Sequence, residues 1–291
     1  MAFRLKGARA IDEQLGSIVE RELAKATDAV DRSRDESSIH EARKHLKKVR
    51  SILRLLRKPL GHQYDALNAP IRVAAHRMSA IRDADALVAT MKSLSARYHD
   101  VISPAIRGKA TSALKAQRKQ AYARLAGRSL ANARQILVKT RRRIRSRVRD
   151  ATTGRSMRVG VTHGYRRARR AMADAIAAGA DDARFHAWRR RVKDHWYQMR
   201  LLDRVDRHAS ERARRLEQLQ DWLGDDHNLV VLRAAMLAEP HRFGGARGVA
   251  AILGCIDKRL AALRRRSVRR GRRLFARKPS SFRKEIGRGW A

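Results

Sequence analysis

IHEARKHLKKVRSILRLL (residues 39–56) returns without a gap, 146 residues later, as FHAWRRRVKDHWYQMRLL (residues 185–202). In both copies apolar residues recur at every third or fourth position, which is the period of a helix that buries one face. The sequence therefore predicts two related helices, each packed in a bundle. Their apolar stripes consist of Ile39, Ala42, Leu46, Val49, Leu53 and Leu56 in the first copy and of Phe185, Trp188, Val192, Met199 and Leu202 in the second.

The repeat continues beyond these two helices. The segment MSAIRDAD (residues 78–85) aligns with LGDDHNLV (residues 223–230) at an offset of 145, so the two repeated segments keep their order and spacing in both copies. We therefore expect two homologous halves, residues 1–152 and residues 153–291, joined at a loop around residues 150–155.

The rest of the chain also has the composition of helices. No proline occurs between residues 105 and 239, and no segment sustains the β-branched alternation of a strand. Ser38 and Glu41 have the spacing of a capping box, which predicts that the first repeated helix begins there. We predict an all-α protein of roughly eight to ten helices. The expected breaks lie near residues 31–36, 58–62, 127, 151–154, 179–182, 240–245 and 278–281.

The charge balance is extreme, because 69 Lys and Arg residues face 28 Asp and Glu residues, a formal net charge of +41 at pH 7. With 43% hydrophobic residues, the chain is too apolar for a disordered basic tail and should fold around a core. Self-repulsion at this charge opposes a compact state unless anions bind or screen it. A polyanionic partner is therefore expected: nucleic acid, an anionic membrane surface or free polyphosphate.

A row of cations borders the apolar stripe in each repeated helix. Successive helical turns are about 5.4 Å apart, so one cation per turn forms a ladder that suits a linear polyanion lying along the helix. An ordinary solvated face is the alternative, but such faces mix signs, and residues 40–57 contain a single acid, Glu41. The candidate binding residues are His40, Arg43, Lys44, Lys47, Arg50 and Arg54 in the first copy and His186, Arg189, Arg190, Lys193 and Arg200 in the second.

The histidines His40 and His186 stand at the same place in both copies, which favours a functional role. Metal binding is not expected, because no histidine pair has a metal-site spacing with a nearby acid. In addition, Arg189 and Arg190 lie one turn from His186 and would repel a cation. We therefore expect these two side chains to contact an anion instead of a metal ion.

Cysteine and hydropathy patterns favour a cytoplasmic protein. The single cysteine, Cys255, lies in an apolar run and is predicted to be buried, so no disulfide forms within the chain. The longest stretch without a charged residue, Gly248 to Ile256, is at most half the length of a membrane span. We therefore expect no spanning helix.

The pattern HxxRKxxKxxR at residues 40–50, the segment IRDAD at residues 81–85 and their copies resemble the conserved histidine α-helical domain, CHAD, over nearly the whole chain. The resemblance implies two four-helix bundles related by a pseudo-twofold axis. It also implies a module that binds inorganic polyphosphate, and with it an association with polyphosphate granules. The candidate cations named above would then contact phosphate, with Arg82 and His227 as additional contacts. We interpret Asp83 and Asp85 as acids that orient neighbouring arginines, and not as catalysts.

The second copy departs from the first at two positions of the repeated helix. Lys48 and Arg50 are replaced by Asp194 and Trp196. The second half is therefore expected to bind more weakly or to serve partly as structure.

Non-specific nucleic-acid binding is the leading alternative. Proteins that grip bases without reading sequence use aromatic platforms, but only 5% of residues are Phe, Trp or Tyr, and Phe185, Trp188 and Trp222 occupy helical core positions. No zinc-finger spacing or leucine-zipper basic region occurs. Weak DNA binding at low salt is still expected from the charge alone.

A phosphate-processing enzyme is the third class considered. The string closest to the Glu-x-Glu-x-Lys signature of triphosphate tunnel domains runs from Glu20 to Lys25, with the lysine one place late and on an amphipathic helix instead of a strand. No Walker loop, nucleophile elbow or paired carboxylate site is present. We predict a non-catalytic binding module that uses no cofactor and no metal.

Overall fold

The structure, a computed structural model, describes residues 3–7, 9–32, 36–125, 128–177, 179 and 181–287. Over these residues it consists of α-helices and one 3-10 helix, with no strand, which confirms the all-α prediction. No helix in this part of the chain combines the length and the apolar composition needed to cross a bilayer. The α-helices are α1 (Ile11–Asp31), α2 (Glu36–Leu55), α3 (Arg57–Leu60), α4 (Gln63–Arg77), α5 (Ser79–Arg97), α6 (Pro104–Leu125), α7 (Arg128–Asp150), α8 (Gly154–Ala177), α9 (Asp182–Leu202), α10 (Arg207–Ala238), α11 (Gly245–Leu274) and α12 (Pro279–Glu285).

The described residues form more α-helices than the roughly eight to ten expected, because α3 and α12 are short, with four and seven residues. The predicted break between α7 and α8 is confirmed. So is the break between α10 and α11, which holds the 3-10 helix (Pro240–Phe243) and Gly244, whose φ of 96° favours glycine. Residues 33–35 and Gly127, at two further predicted breaks, lie outside the described residues.

Three helix boundaries differ from the predictions. Helix α2 begins at Glu36, so the capping box was wrong as a helix start, because Ser38 lies inside the first turn and is buried. The chain also breaks between α4 and α5 at Met78 and between α5 and α6 at residues 98–103. The Met78 break carries no glycine or proline signal. Its side chain is fully buried, so packing accompanies the bend there.

The larger hydrophobic core holds the apolar stripes of the two repeated helices, α2 and α9. Every residue of the α2 stripe is fully buried, and the most exposed residue of the α9 stripe, Phe185, exposes only 3% of its surface. Side chains from α1, α4, α7, α8 and the first half of α10 supply most of the rest of this core, with smaller contributions from the N-terminal segment, the start of α5, the end of α11 and α12. Both predicted stripes are confirmed.

A second core cluster is built from the later turns of α5, from α6, from the second half of α10 and from the first half of α11. Cys255 belongs to it and is buried as predicted. Both clusters contain residues from either side of residue 152. Representative members of the second cluster are Leu87, Leu114, Leu232 and Ile252.

Helix α2 joins the early and late parts of the chain. It packs against α1 and α4 and also against α8 and α9. Gly160 of α8 lies so close to Leu55 that a Cβ atom at residue 160 would collide with the Leu55 carbonyl group. Ser51 Oγ donates a hydrogen bond of 3.0 Å to the carbonyl oxygen of Asp194 on α9. These contacts fix the basic faces of α2, α8 and α9 relative to one another.

Candidate functional site

Helix α2 presents its predicted cations beside the buried stripe. His40 and Lys44 are exposed, whereas Arg43 and Lys47 are half-buried. The Arg43 guanidinium donates a hydrogen bond to the carbonyl oxygen of Ala75 on α4. Helix α4 therefore supports this basic face from one side.

The last turns of the same face connect α2 to two neighbouring helices. Arg50 Nε donates a hydrogen bond of 3.1 Å to Asn68 Oδ1 of α4. Arg54 forms an ion pair of 2.5 Å with the Asp194 carboxylate of α9. Arg54 is thus the point at which the predicted cations of the first copy reach the second copy.

Helix α9 brings part of its predicted set to α10. His186 Nδ1 lies 3.0 Å from His227 Nδ1, and the two ring centroids are 4.3 Å apart. The structure therefore places His227 beside a residue of the predicted site. Arg189 and Lys193 are half-buried on the same helix, and Arg190 is exposed.

One predicted residue stands apart from these groups. The Arg200 guanidinium lies over the Trp196 ring, 4.9 Å from its centroid, in a depression that it shares with Arg4 and Arg204. Arg200 is therefore not joined to the cations at the end of α2. Arg82 belongs to α5, but its side chain lies outside the described residues.

Four arginines act through their charges on one carboxylate where α2, α8 and α9 meet, and one of them, Arg54, is paired with it. Their charges act on Asp194, whose side chain is only 18% exposed. We call this cluster the arginine centre; its members are Arg50, Arg54, Arg167 and Arg191 together with Asp194.

The arginine centre is short of negative charge. Burial raises the pKa of Asp194, and the four arginines oppose that rise. Burial lowers the pKa of Arg50 to about 10, with repulsion from Arg54 as the next cause. Burial also lowers the pKa values of Arg167 and Arg191. Since each of these three cations is destabilised where it stands, an anion that enters the cluster gains their attraction.

The positive charge of these arginines also affects a histidine beside the arginine centre. Burial lowers the pKa of His163, and repulsion from Arg167, Arg166 and Arg57 adds to the effect. His163 is therefore neutral near pH 7 and adds no further cation.

Sequence reasoning found Arg50 and Arg54 but missed Arg167 and Arg191. Arg191 directly follows a predicted residue, and Arg167 belongs to the run RRARR (residues 166–170) on a helix outside the aligned repeat. That run, four arginines on one amphipathic helix, is the signal that could have found it.

The opposite side of α2 shows why Lys48 and Asp194 differ between the copies. Lys48 is buried and donates a hydrogen bond of 2.9 Å to Glu22 of α1, which also lies 2.5 Å from His45 Nδ1. Lys48 is therefore held between α2 and α1. The equivalent residue of the second copy, Asp194, instead forms an ion pair with Arg54.

Comparison with known proteins assigns the family. The CHAD domain family matches residues 10–237, well over half of the chain. The chain belongs to the CHAD family. Among solved structures, the CHAD domain from the plant Ricinus communis aligns with a TM-score of 0.68 and 18% sequence identity, covering 96% of this chain and 95% of that chain. No curated protein sequence matches the chain.

The CHAD match spans α1 to α10 and contains the whole arginine centre. It ends before α11 begins at Gly245. At 18% identity, the likeness to the Ricinus domain concerns the fold alone. Across the described residues of this CHAD chain, no group of three or more His, Cys, Asp or Glu side chains is arranged to hold a metal ion.

Proposed function

We propose that this CHAD protein binds inorganic polyphosphate without modifying it, and that the arginine centre is the core of the binding site. The family is linked to polyphosphate binding in general. The observation that carries the proposal is the Asp194 carboxylate, which pairs with Arg54 at 2.5 Å and also lies in the field of Arg50, Arg167 and Arg191. Four cations against one anion leave a local excess of three positive charges.

The chemistry of the cluster suits phosphate oxygens. A guanidinium group presents a planar fork of donors that can bind two oxygens of one phosphate at once. Polyphosphate carries a negative charge on every internal phosphate, so a short segment supplies the missing anions. Binding in a half-buried site also strengthens each contact, because screening by water is reduced.

The cations of α2 extend the site beyond the centre. Fourteen residues separate Arg54 from His40, which is about 21 Å along a helix. A polyphosphate chain that leaves the centre can pass Lys47, Arg43 and His40 in turn. Long chains therefore reach more cations than short ones.

The same residues favour binding over catalysis. Arginine remains protonated near neutral pH and does not act as a general base there. Even Arg50, whose pKa burial lowers to about 10, keeps its charge at pH 7. We therefore propose a non-catalytic module.

The placement of the aromatic residues favours polyphosphate over nucleic acid. Phe185 and Trp188 are buried in the core, and Trp222 is half-buried with Arg270 over its ring at 5.9 Å. These rings do not form an exposed platform on which bases could stack. A nucleic acid would therefore be held through its phosphates alone.

We propose further that residues 1–152 and 153–291 are homologous halves, each based on a four-helix bundle and related by a pseudo-twofold axis. In support, α1 packs on α2 as α8 packs on α9, and the buried stripes of α2 and α9 align at an offset of 146. A cytoplasmic location at polyphosphate granules fits this function.

A competition assay tests the function. Labelled polyphosphate bound to the protein at 0.15 M salt is challenged with unlabelled polyphosphate, single-stranded DNA of equal charge, or ATP. We expect unlabelled polyphosphate to compete at concentrations at least about tenfold lower than DNA, because the half-buried centre grips phosphates without bases. Equal or better competition by DNA would establish the nucleic-acid alternative instead.

A further inference from the structure

A basic groove lies between the end of α8, the start of α9 and the last turns of α11. Its volume is about 540 Å³, within the range of about 300–1,000 Å³ that is usual for small-ligand sites. The groove is lined by Ala175, Ile176, Phe185, Arg264, Arg265, Val268, Arg269, Arg272 and Arg273.

The arginines of the groove fall into two kinds. Arg264 is committed to the fold, because its Nε donates a hydrogen bond of 2.8 Å to Asp226 and it also pairs with Asp182. Its guanidinium lies over the Phe185 ring, 4.7 Å from the centroid. Arg264 therefore forms a wall of the groove.

The other four arginines are exposed on α11. Within the described part of the chain, none of the four forms an ion pair, and none of the residues that line the groove is acidic. Arg273 lies eight residues after Arg265, with Arg269 midway between them, so the guanidinium groups are spread over about 12 Å of helix. Such a row can bind several linked phosphates. The four are Arg265, Arg269, Arg272 and Arg273.

The floor of the groove is apolar. Ile176 and Val268 are half-buried and Ala175 and Phe185 are buried, and all four side chains line the groove. An apolar floor gives nothing to a ligand made of phosphate alone. The floor contributes to the binding free energy only if the ligand also brings a flat or apolar group that covers it.

This groove is separate from the arginine centre. The two sites share no residue, and α2 contributes nothing to the groove. The five groove arginines also lie beyond residue 237, where the CHAD match ends. The groove therefore calls for its own ligand.

We propose that the groove binds a nucleoside polyphosphate, with the base on the apolar floor and the phosphates on the arginines of α11. The base covers Ile176 and Val268, and the charged end reaches Arg269 and Arg273. This site is independent of polyphosphate binding at the arginine centre.

Calorimetry with ATP, inorganic triphosphate and adenosine, without added divalent cations, tests the proposal. We expect ATP to bind roughly tenfold more tightly than triphosphate, because only ATP covers the floor, and adenosine to bind far more weakly than either. Ile176→Ala should weaken ATP binding while leaving triphosphate binding unchanged. Arg269→Ala combined with Arg273→Ala should weaken ATP binding by at least about tenfold.

A variant of equal charge provides the control. Arg54→Ala combined with Arg191→Ala removes two positive charges from the arginine centre, and ATP affinity should stay within about twofold of wild type. Melting temperatures of all variants are measured, and the variant with Arg269→Ala and Arg273→Ala should match wild type because both arginines are exposed.

Three results would overturn the proposal. Triphosphate that binds as tightly as ATP to the protein carrying Arg54→Ala and Arg191→Ala, in which the arginine centre is weakened, would show that the floor takes no part. Equal loss of ATP binding in both double variants would show attraction by net charge alone. A single-stranded oligonucleotide that binds the groove while ATP does not would identify a phosphodiester backbone as the ligand.

Discussion

Replacement of Gly160 by alanine tests whether the close approach of α8 to α2 holds the arginine centre together. A Cβ atom at residue 160 would lie 2.8 Å from the carbonyl carbon of Leu55 and closer still to its oxygen, whereas real Cβ contacts essentially never fall under 3.0 Å. The obstructing atoms belong to the backbone, so they cannot turn aside as the end of a side chain would. Helix α8 must therefore move away from α2.

The expected loss of stability follows from two opposing effects. Overpacking of a close contact costs about 1–3 kcal/mol, and a backbone clash belongs at or beyond the upper end of that range. Alanine in a helix interior returns about 1 kcal/mol relative to glycine. The free energy of unfolding should therefore fall by about 2 kcal/mol, which lowers Tm by roughly 4–8 °C. Polyphosphate affinity should fall too, because the shift separates Arg167 from Arg54.

Thermal unfolding followed by circular dichroism measures the first effect, and a polyphosphate titration measures the second. Gly254→Ala is the matched control, because Gly254 lies exposed within α11 and nothing lies within 4 Å of an added Cβ. That variant should be as stable as wild type or up to about 1 kcal/mol more stable. If Gly160→Ala proved as stable as Gly254→Ala and bound polyphosphate like wild type, the packing argument would be refuted.

Three further substitutions test the electrostatics. Asp194→Asn should raise polyphosphate affinity several-fold in a titration, because it removes the anion that competes for the arginines, while lowering stability in the absence of ligand; weaker binding would contradict this. Burial raises the pKa of Glu22, but the hydrogen bonds and charges of His45 and Lys48 outweigh burial and lower that pKa from 4.5. The folded state is therefore stabilised by ionised Glu22, and this stabilisation is lost as pH falls through the folded-state pKa. Glu22→Gln leaves Lys48 buried without its anion and should lower the unfolding free energy, measured in urea at pH 7, by about 3–5 kcal/mol; an unchanged value would show that the network is dispensable. Burial lowers the pKa of His195 well below 6.5, so the unfolded chain takes up a proton that the folded chain refuses, and stability falls as pH drops below about 6.5. His195→Gln should flatten that decline by up to about 1.4 kcal/mol per pH unit, and an identical pH profile would show that His195 does not titrate in this way.

The repeated helix could be predicted from the sequence because its pattern is local. The spacing of Ile39, Leu46 and Leu53 determines which face α2 buries, and the cations beside that stripe follow from the same helical period. For this reason Arg50 and Arg54 were found without a structure.

Arg191 lies three residues before Asp194 on α9, so its place beside that carboxylate follows from the helical period. The place of Arg167 depends instead on how helices cross. Its charge acts on Asp194 because α8 approaches the end of α2 closely, and that approach depends on the absence of a side chain at Gly160. No spacing within one helix encodes a contact between three helices. The break at Met78 was missed for a related reason, since a buried side chain marks it and no local turn residue does.

The affinity of long-chain polyphosphate for an arginine-centre variant tests the central claim most directly. Arg167→Ala combined with Arg191→Ala is compared, at several salt concentrations, with wild type and with Arg107→Ala combined with Lys115→Ala, which removes the same charge from exposed positions of α6. We predict that the arginine-centre pair weakens binding at least about tenfold and makes the salt dependence shallower by about one unit per arginine, while the α6 pair stays within about twofold of wild type. Equal losses in both pairs, or no loss in the arginine-centre pair, would contradict the assignment of the site.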